Sequence, residues 1–391
     1  MFAFLTAIRK RAACALVLGL TGLAGCAGLP IAGGTGASPT VDTSAPAPVA
    51  LLLPRGDSGA GAVAASMENA ARLAMAANPN AQIDLRVYDT GGTPAGASAA
   101  ATRAVNEGAQ IILGPLFSQS ISAVTPVVAG RNINVLAFSN NTAVAGGNVF
   151  ILGQTFDDVA ERLTTFARRQ GRPSVAIVHA DDVAGNAGRD AILRAAQSSG
   201  MEVATVQAYP LSQQGIVESG PRIANAIQQS GASSVFLTAN VDADLPLIAT
   251  TLPDNGVSPA QTQYMGLTRW NASQQALNLP GLQGGLFALP DNSAVDAFNQ
   301  RYRAAYGSDP HPLAGVAYDA VQAVGTLLAQ GRSDAFSGSS LTRRSGFQGA
   351  YGAFRLLPGG TNDRALAVAQ IQNNQVVILD PAPNSFGRGG F

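Results

Sequence analysis

The sequence predicts an α/β fold of two lobes, each a mostly parallel sheet flanked by helices. Three observations lead there. Apolar runs of strand length alternate with stretches of helical period, and the connections between them are short. The strand-like runs are continuously apolar rather than alternating, as expected of strands covered on both faces. The alternation then restarts near residue 155, so one sheet is followed by a second.

In order, residues 49–53 form a continuous apolar run that stops at Pro54, and 56–61 is a turn-rich loop. Residues 62–77 place Val63, Met67, Ala70, Leu73 and Ala74 at helical spacing. Strands are predicted at 82–88, 111–113 and 134–138, with helices at 94–106, where Pro94 suits a first turn, and at 121–129. The second half gives a helix over 157–170, a strand over 174–179, a helix over 186–199 behind an Asn186 cap, and a strand over 202–209. A helix over 221–230 and strands at 234–238 and 263–267 follow. After Gly284 come a strand at 286–289, helices over 293–306 and 313–329, and segments 351–356, 365–371 and 376–379. These last read as an antiparallel ribbon turning at Asn373-Asn374.

Composition narrows the function classes. The chain has 391 residues, 47% hydrophobic, with 24 Lys+Arg against 24 Asp+Glu. A chain of this size buries most of its surface without staples. Zero net charge leaves no field to gather nucleic acid, and the Arg168-Arg169 and Arg343-Arg344 pairs are isolated. No HExxH, GxSxG, phosphate-loop or CxxC pattern is present, so no catalytic residue, cofactor or metal is expected. His179 lies near Asp181 at a strand end and His311 sits between two prolines, which reads as loop chemistry.

Arg9, Lys10 and Arg11 precede a short apolar run, 12–20, and then Leu23-Ala24-Gly25-Cys26. The run is too short for a permanent span of roughly 30 Å and has the layout of a cleaved signal over 1–25. Leu-Ala-Gly-Cys resembles the lipobox of bacterial lipoproteins, which implies acylation of Cys26 and membrane anchoring in the periplasm. Ala27, where an Asp would resemble an inner-membrane retention signal, favours the outer membrane. With Cys14 removed and Cys26 acylated, no thiol remains for a disulfide. Residues 26–48 read as a Gly/Ala/Ser/Thr/Pro tether. The remaining boundaries are 49–154 for the first part of lobe 1, 155–283 for lobe 2, 284–380 for the return to lobe 1 with the ribbon, and 381–391 for a loose tail.

Three segments carry a resemblance to the type 1 periplasmic-binding-protein superfamily, the Leu/Ile/Val-binding-protein-like group. They are Ile112-Leu113-Gly114-Pro115-Leu116-Phe117-Ser118 with Ala123-Val124-Thr125-Pro126 after it, the stretch 181–191, and Ala317-Tyr318-Asp319-Ala320-Val321. Their order and spacing hold across residues 49–379. Within the superfamily, residues 49–54, 88–94 and 108–116 resemble the penicillin-binding-protein activators of the LpoA type. The Gly-Gly-Ile-Asn-Gly-like turn of the amino-acid receptors is missing at 76–82. That resemblance implies a non-catalytic lipoprotein that binds and stimulates a peptidoglycan synthase. The alternative is a lipid-anchored receptor that hands amino acids or similar solutes to an ABC importer.

In this architecture the strands' carboxyl ends face one crevice. Ser118, Gln119, Ser139, Asn140 and Asn141 from one lobe, and His179, Asp181, Asp182, Thr268 and Arg269 from the other, are candidate cleft residues, with Tyr318 and Asp319 on the late helix. Hydroxyls and helix amides would hold a carboxylate and Asp181 an ammonium. Equally, Ser118 and Ser139 read as helix caps and Asp181 as a turn former. For a partner surface the candidates are Trp270 with Arg269, because Trp and Arg are enriched at interface hot spots, together with Phe117 and Phe287.

Overall fold

Burial explains why the first sheet is internal. In the computed structural model, which describes residues 38–387, Leu51, Leu52 and Leu53 of β1 (Ala47–Leu53) are wholly inaccessible. Each such leucine contributes roughly 1.5–3 kcal/mol of burial free energy. The chain continues through α1 (Gly61–Ala76), β2 (Ile83–Asp89), α2 (Pro94–Asn106), β3 (Ile111–Leu113), α3 (Ser118–Ala129), β4 (Asn134–Ala137) and β5 (Val149–Ile151). These strands pair in the order β2-β1-β3-β4-β5, all parallel. Alanines at helical spacing on α1 and α2 (Ala64, Ala70, Ala71, Ala74; Ala97, Ala100, Ala101, Ala104) let both helices lie close to their neighbours.

Lobe 2 comprises α4 (Phe156–Arg169), β6 (Ser174–Ala180), α5 (Val183–Ser199), β7 (Glu202–Tyr209), α6 (Gln213–Ser230) and β8 (Ser234–Leu237). It continues with α7 (Leu245–Asp254), β9 (Gln263–Gly266), α8 (Gln274–Leu277) and β10 (Leu286–Leu289). The chain then returns to lobe 1 as α9 (Asn292–Tyr306), α10 (Ala314–Leu328), α11 (Gly338–Leu341), β11 (Phe347–Gly349), β12 (Gly352–Leu356) and β13 (Asn362–Arg364). It finally re-enters lobe 2 as β14 (Ala367–Gln372) and β15 (Gln375–Asp380). The second sheet runs β15-β14-β10-β9-β8-β6-β7, with only β14 reversed, antiparallel to both β10 and β15. The two-lobed α/β expectation holds.

Several boundaries differ, each for a physical reason. β10 pairs with β9, so lobe 2 extends past residue 283. The expected ribbon divides: β12 joins β11 and β13 in a small sheet on lobe 1, whereas β14–β15 completes the lobe 2 sheet. Its turn is as expected, with positive φ at Asn373 and Asn374. Helix α5 starts three residues before Asn186, because the Asp182 carboxylate takes the cap and accepts from the Gly185 amide at 2.6 Å. Helix α6 starts at Gln213 and continues through Pro221 rather than starting there. Val41 of the expected tether is buried in the lobe 1 core. Within the expected loose tail, the Asn384 carbonyl accepts from Gln348 at 2.5 Å and Phe386 lies under Arg355. The signal segment and Cys26 lie outside the described residues.

The chain crosses between lobes three times, near residues 153–155, 290–291 and 365–366. Arg364 ties the first crossing to the third. Its Nη1 donates to Asp319 at 2.8 Å and its Nε to the Leu152 carbonyl at 2.9 Å, with both residues of the ion pair buried. Asn362 donates to the Ile151 and Gly153 carbonyls at 2.9 and 3.0 Å. Thr155 and Asp158 form a capping box on α4, and Asp158 also accepts from the Arg364 amide at 3.2 Å.

Burial pushes the Asp158 carboxyl up from 3.8 to about 7, against the donors at Thr155 and the Arg364 charge. Between those two values the folded state holds a proton that the unfolded chain has released, so this group's contribution to stability declines as pH rises from about 4 to about 7. Relative to the native protein, Asp158→Asn should therefore gain stability across that window and show a constant difference above it. Urea midpoints of both proteins at four pH values from 4 to 8.5 test this, and a pH-independent difference would refute it.

Candidate functional site

Each sheet has a point where strand order reverses, between β1 and β3 and between β6 and β8, and ligands of open α/β sheets bind at the carboxyl edge near such points. A cavity of about 460 Å³ lies there between the lobes. From lobe 1 it is walled by Leu116, Phe117 and Ser118 at the start of α3, by Phe138, Ser139 and Asn140 after β4, and by Gly153 and Gln154 after β5. Leu313, Val316, Tyr351 and Arg364 complete that side. Lobe 2 and its crossings add Arg269, Pro290 and Leu366. Gly114 sets up the α3 loop: its φ is +89°, and a Cβ there would stand 2.4 Å from the Leu52 carbonyl oxygen.

Polar groups in this cavity are mainly donors. The Ser118 and Ser139 hydroxyls are 3.1 Å apart, and Ser139 Oγ also accepts from the Asn141 amide at 3.1 Å. Helix α3, with Phe117 at its N-cap, has no side-chain cap for its first amides. The Tyr351 hydroxyl donates to the Pro312 carbonyl and accepts from the Gly315 amide at 3.2 Å. Burial pushes it up to about 12, so it stays protonated at neutral pH. Arg269 is exposed and makes no ion pair among the described residues, whereas Arg364 faces Asp319.

Of the residues expected from sequence, Ser118, Ser139 and Asn140 line the cavity. Gln119 is exposed outside it, and the Asn141 side chain caps the following 3-10 turn at Ala143. Of the lobe 2 candidates only Arg269 lines the cavity. His179 is buried and its Nδ1 pairs with the Ala180 carbonyl at 2.9 Å. Asp181 is exposed away from the lining, Asp182 caps α5, and the Thr268 hydroxyl donates to the Ala239 carbonyl at 3.0 Å. Tyr318 and Asp319 belong to the interior: Tyr318 packs on Phe298 at 5.2 Å, and Asp319 serves Arg364. Gln154, Tyr351 and Arg364 were missed. Only the strand-end position of Gln154, after the unpredicted β5, carried a signal for them.

Trp270 is not a surface anchor. It is completely buried, 5.9 Å from Phe287, which is itself in the core. The indole rests on two glycines: a Cβ on Gly266 or Gly285 would meet the ring at 2.2 or 2.5 Å. Phe117 is partly exposed, at 38%, but on the cavity wall. Arg269, expected both at the cleft and beside Trp270 at a partner surface, lines the cleft.

Two sheets joined by three crossings surround this walled cleft. The chain belongs to the periplasmic binding protein family, which it matches over residues 46–375, and that membership implies a periplasmic location. Three solved structures share the fold. A branched chain amino acid ABC transporter periplasmic ligand-binding protein from Burkholderia xenovorans LB400 gives a TM-score of 0.65 at 16% identity, covering 86% of this chain and 95% of that one. An ABC transporter substrate-binding protein from Desulfitobacterium hafniense in complex with Leu gives 0.59 at 18% identity, over 85% and 99%. A solute binding protein of an ABC transporter from R. palustris, in complex with 4-hydroxybenzoate, gives 0.56 at 16% identity, over 86% and 96%. None of the curated proteins matches the chain in sequence.

These findings overturn the activator reading and its peptidoglycan-synthase partner. The proteins sharing the fold are ABC-transporter binding proteins, and the tryptophan assigned to the partner surface is core. Both family and structural relatives are binding proteins rather than enzymes. Trp270→Ala should accordingly destabilise the fold by about 3–5 kcal/mol, the usual cost of emptying a buried aromatic site. Urea unfolding measures it, and a loss below about 1 kcal/mol would contradict the packing described.

Proposed function

We propose that this protein is a non-catalytic solute receptor that captures a small molecule between its lobes and delivers it to an ABC importer. The observation that carries this reading is the inter-lobe cavity. At about 460 Å³ it has the size of a small-ligand site. Its walls are largely apolar, and Ser118, Ser139 and Arg269 supply directed polar groups. The ligand-bound relatives support the reading, since they place Leu in one such fold and 4-hydroxybenzoate in another.

A ligand that binds only the folded state stabilises it by about 2.7 kcal/mol at a hundredfold excess over Kd. Thermal unfolding against a library of amino acids, organic acids, sugars and short peptides should find at least one such solute. The Ser118→Ala/Ser139→Ala double variant should lose most of the gain. If no solute of the library shifts the transition, the receptor reading fails.

Anchoring through acylated Cys26 completes the proposal. It is supported by the Leu23-Ala24-Gly25-Cys26 sequence, with the stretch from Ala27 to the docked Val41 as the tether. Several acyl chains on one cysteine give stable anchoring, at about 0.8 kcal/mol per buried CH₂. Palmitate labelling in cells should mark the protein and be abolished by Cys26→Ala; labelling that survives the substitution would place the acyl group elsewhere.

A further inference from the structure

We propose that the solute is a monocarboxylate with an apolar body and no α-ammonium group. This rests on the receptor reading above and names the class of solute within it.

The first ground is charge. No Asp or Glu lines the cavity, while two arginines do. Arg364 is matched by Asp319, whereas Arg269 is exposed without an ion pair among the described residues, which leaves the cavity positive. An amino acid carries an ammonium that needs a carboxylate or several carbonyl acceptors. Neither Asp181, the acid that sequence suggested for it, nor Thr268 forms part of the wall. The Asn140 and Gln154 amides could accept a hydrogen bond from an amine but cannot neutralise it.

The second ground is a proton count. Two hydroxyls, Ser118 and Ser139, share one hydrogen bond, and Ser139 Oγ additionally accepts from the Asn141 amide. Whichever serine donates within the pair, the proton of the other has no acceptor among the described contacts. Ser139 is 6% exposed and Ser118 half-buried, so in either arrangement the spare proton faces the cavity they both line. A carboxylate takes it and pairs with Arg269, a charge-assisted arrangement about twice as strong as neutral hydrogen bonds. The rest of the solute meets Leu116, Phe138, Pro290, Val316 and Leu366, which calls for a hydrocarbon or aromatic body rather than a polyol.

Matched pairs isolate the ammonium. Protein dialysed free of co-purified solute is titrated calorimetrically at pH 7 with 4-methylpentanoate against leucine and with 3-phenylpropanoate against phenylalanine. Each pair differs only in the α-amino group. The neutral 3-phenylpropanamide is a third arm. The acid of at least one pair should bind about tenfold tighter or more than its amino acid and than the amide. Arg269→Gln should weaken it about tenfold without moving the ligand-free melting temperature. Equal or tighter binding of leucine or phenylalanine overturns this inference and leaves the receptor reading standing, as does failure of both acids while another solute of the library binds. Failure of every solute sinks both.

Discussion

The fold depends on one buried ion pair. Arg364 and Asp319 are 4% and 0% exposed in their side chains, and they meet where the chain passes between lobes. Burial raises the Asp319 carboxyl, while the Arg364 guanidinium and the Ala350 amide draw it back. A buried pair of this kind adds little net stability over well-packed apolar residues, but removing one partner strands the other and typically costs 3–5 kcal/mol. Its value here is positional. Arg364 also donates to the Leu152 carbonyl and lies over the Phe354 ring, so β13, the crossing after β5 and α10 share one anchor. The same guanidinium forms part of the cavity wall, and the hinge and the cleft are therefore one construction.

Around that anchor, the donor character of the cleft follows from parallel sheets. Strands ending at one edge feed helices whose first amides face that edge. In lobe 2 Asp182 caps α5 and Ser212 caps α6, whereas α7 has no side-chain cap. The Thr155–Asp158 box does the same for α4 at the crossing. Helix α3 has no such side-chain cap, and its first residue, Ser118, opens on the cavity. Lobe 1 thus supplies most of the polar surface, and lobe 2 reaches it through the long, exposed Arg269 side chain.

Much of the fold was legible because it rests on local patterns. The apolar runs of β1, β3 and β6 announce strands covered on both faces, and Asn373-Asn374 announces its turn. Helix α7 was not legible, since Pro246 and Pro253 stand near its two ends and mask a ten-residue helix. The site was legible mainly in lobe 1, where Ser118 and Ser139 follow short, plain strands, and in lobe 2 only at Arg269 after β9. Arg364 sits in Asn362-Asp363-Arg364, which reads as a polar turn, and its partner lies 45 residues away. Trp270, flanked by Arg269 and Asn271, reads as surface loop; the two glycines that make room for it lie on neighbouring strands' ends, where no periodicity points to them.

Arg269 and Trp270 combine a charge at the cleft with an anchor in the core. The indole is held between Gly266 and Gly285, at the ends of adjacent strands β9 and β10. Backbone at residue 270 is thereby fixed to the lobe 2 sheet, and Arg269, one residue earlier, starts from a fixed point although its own side chain is exposed. A long cation loses less entropy on pairing when its backbone is already immobile. Arg269 and the serine pair thus line the same cavity from opposite lobes.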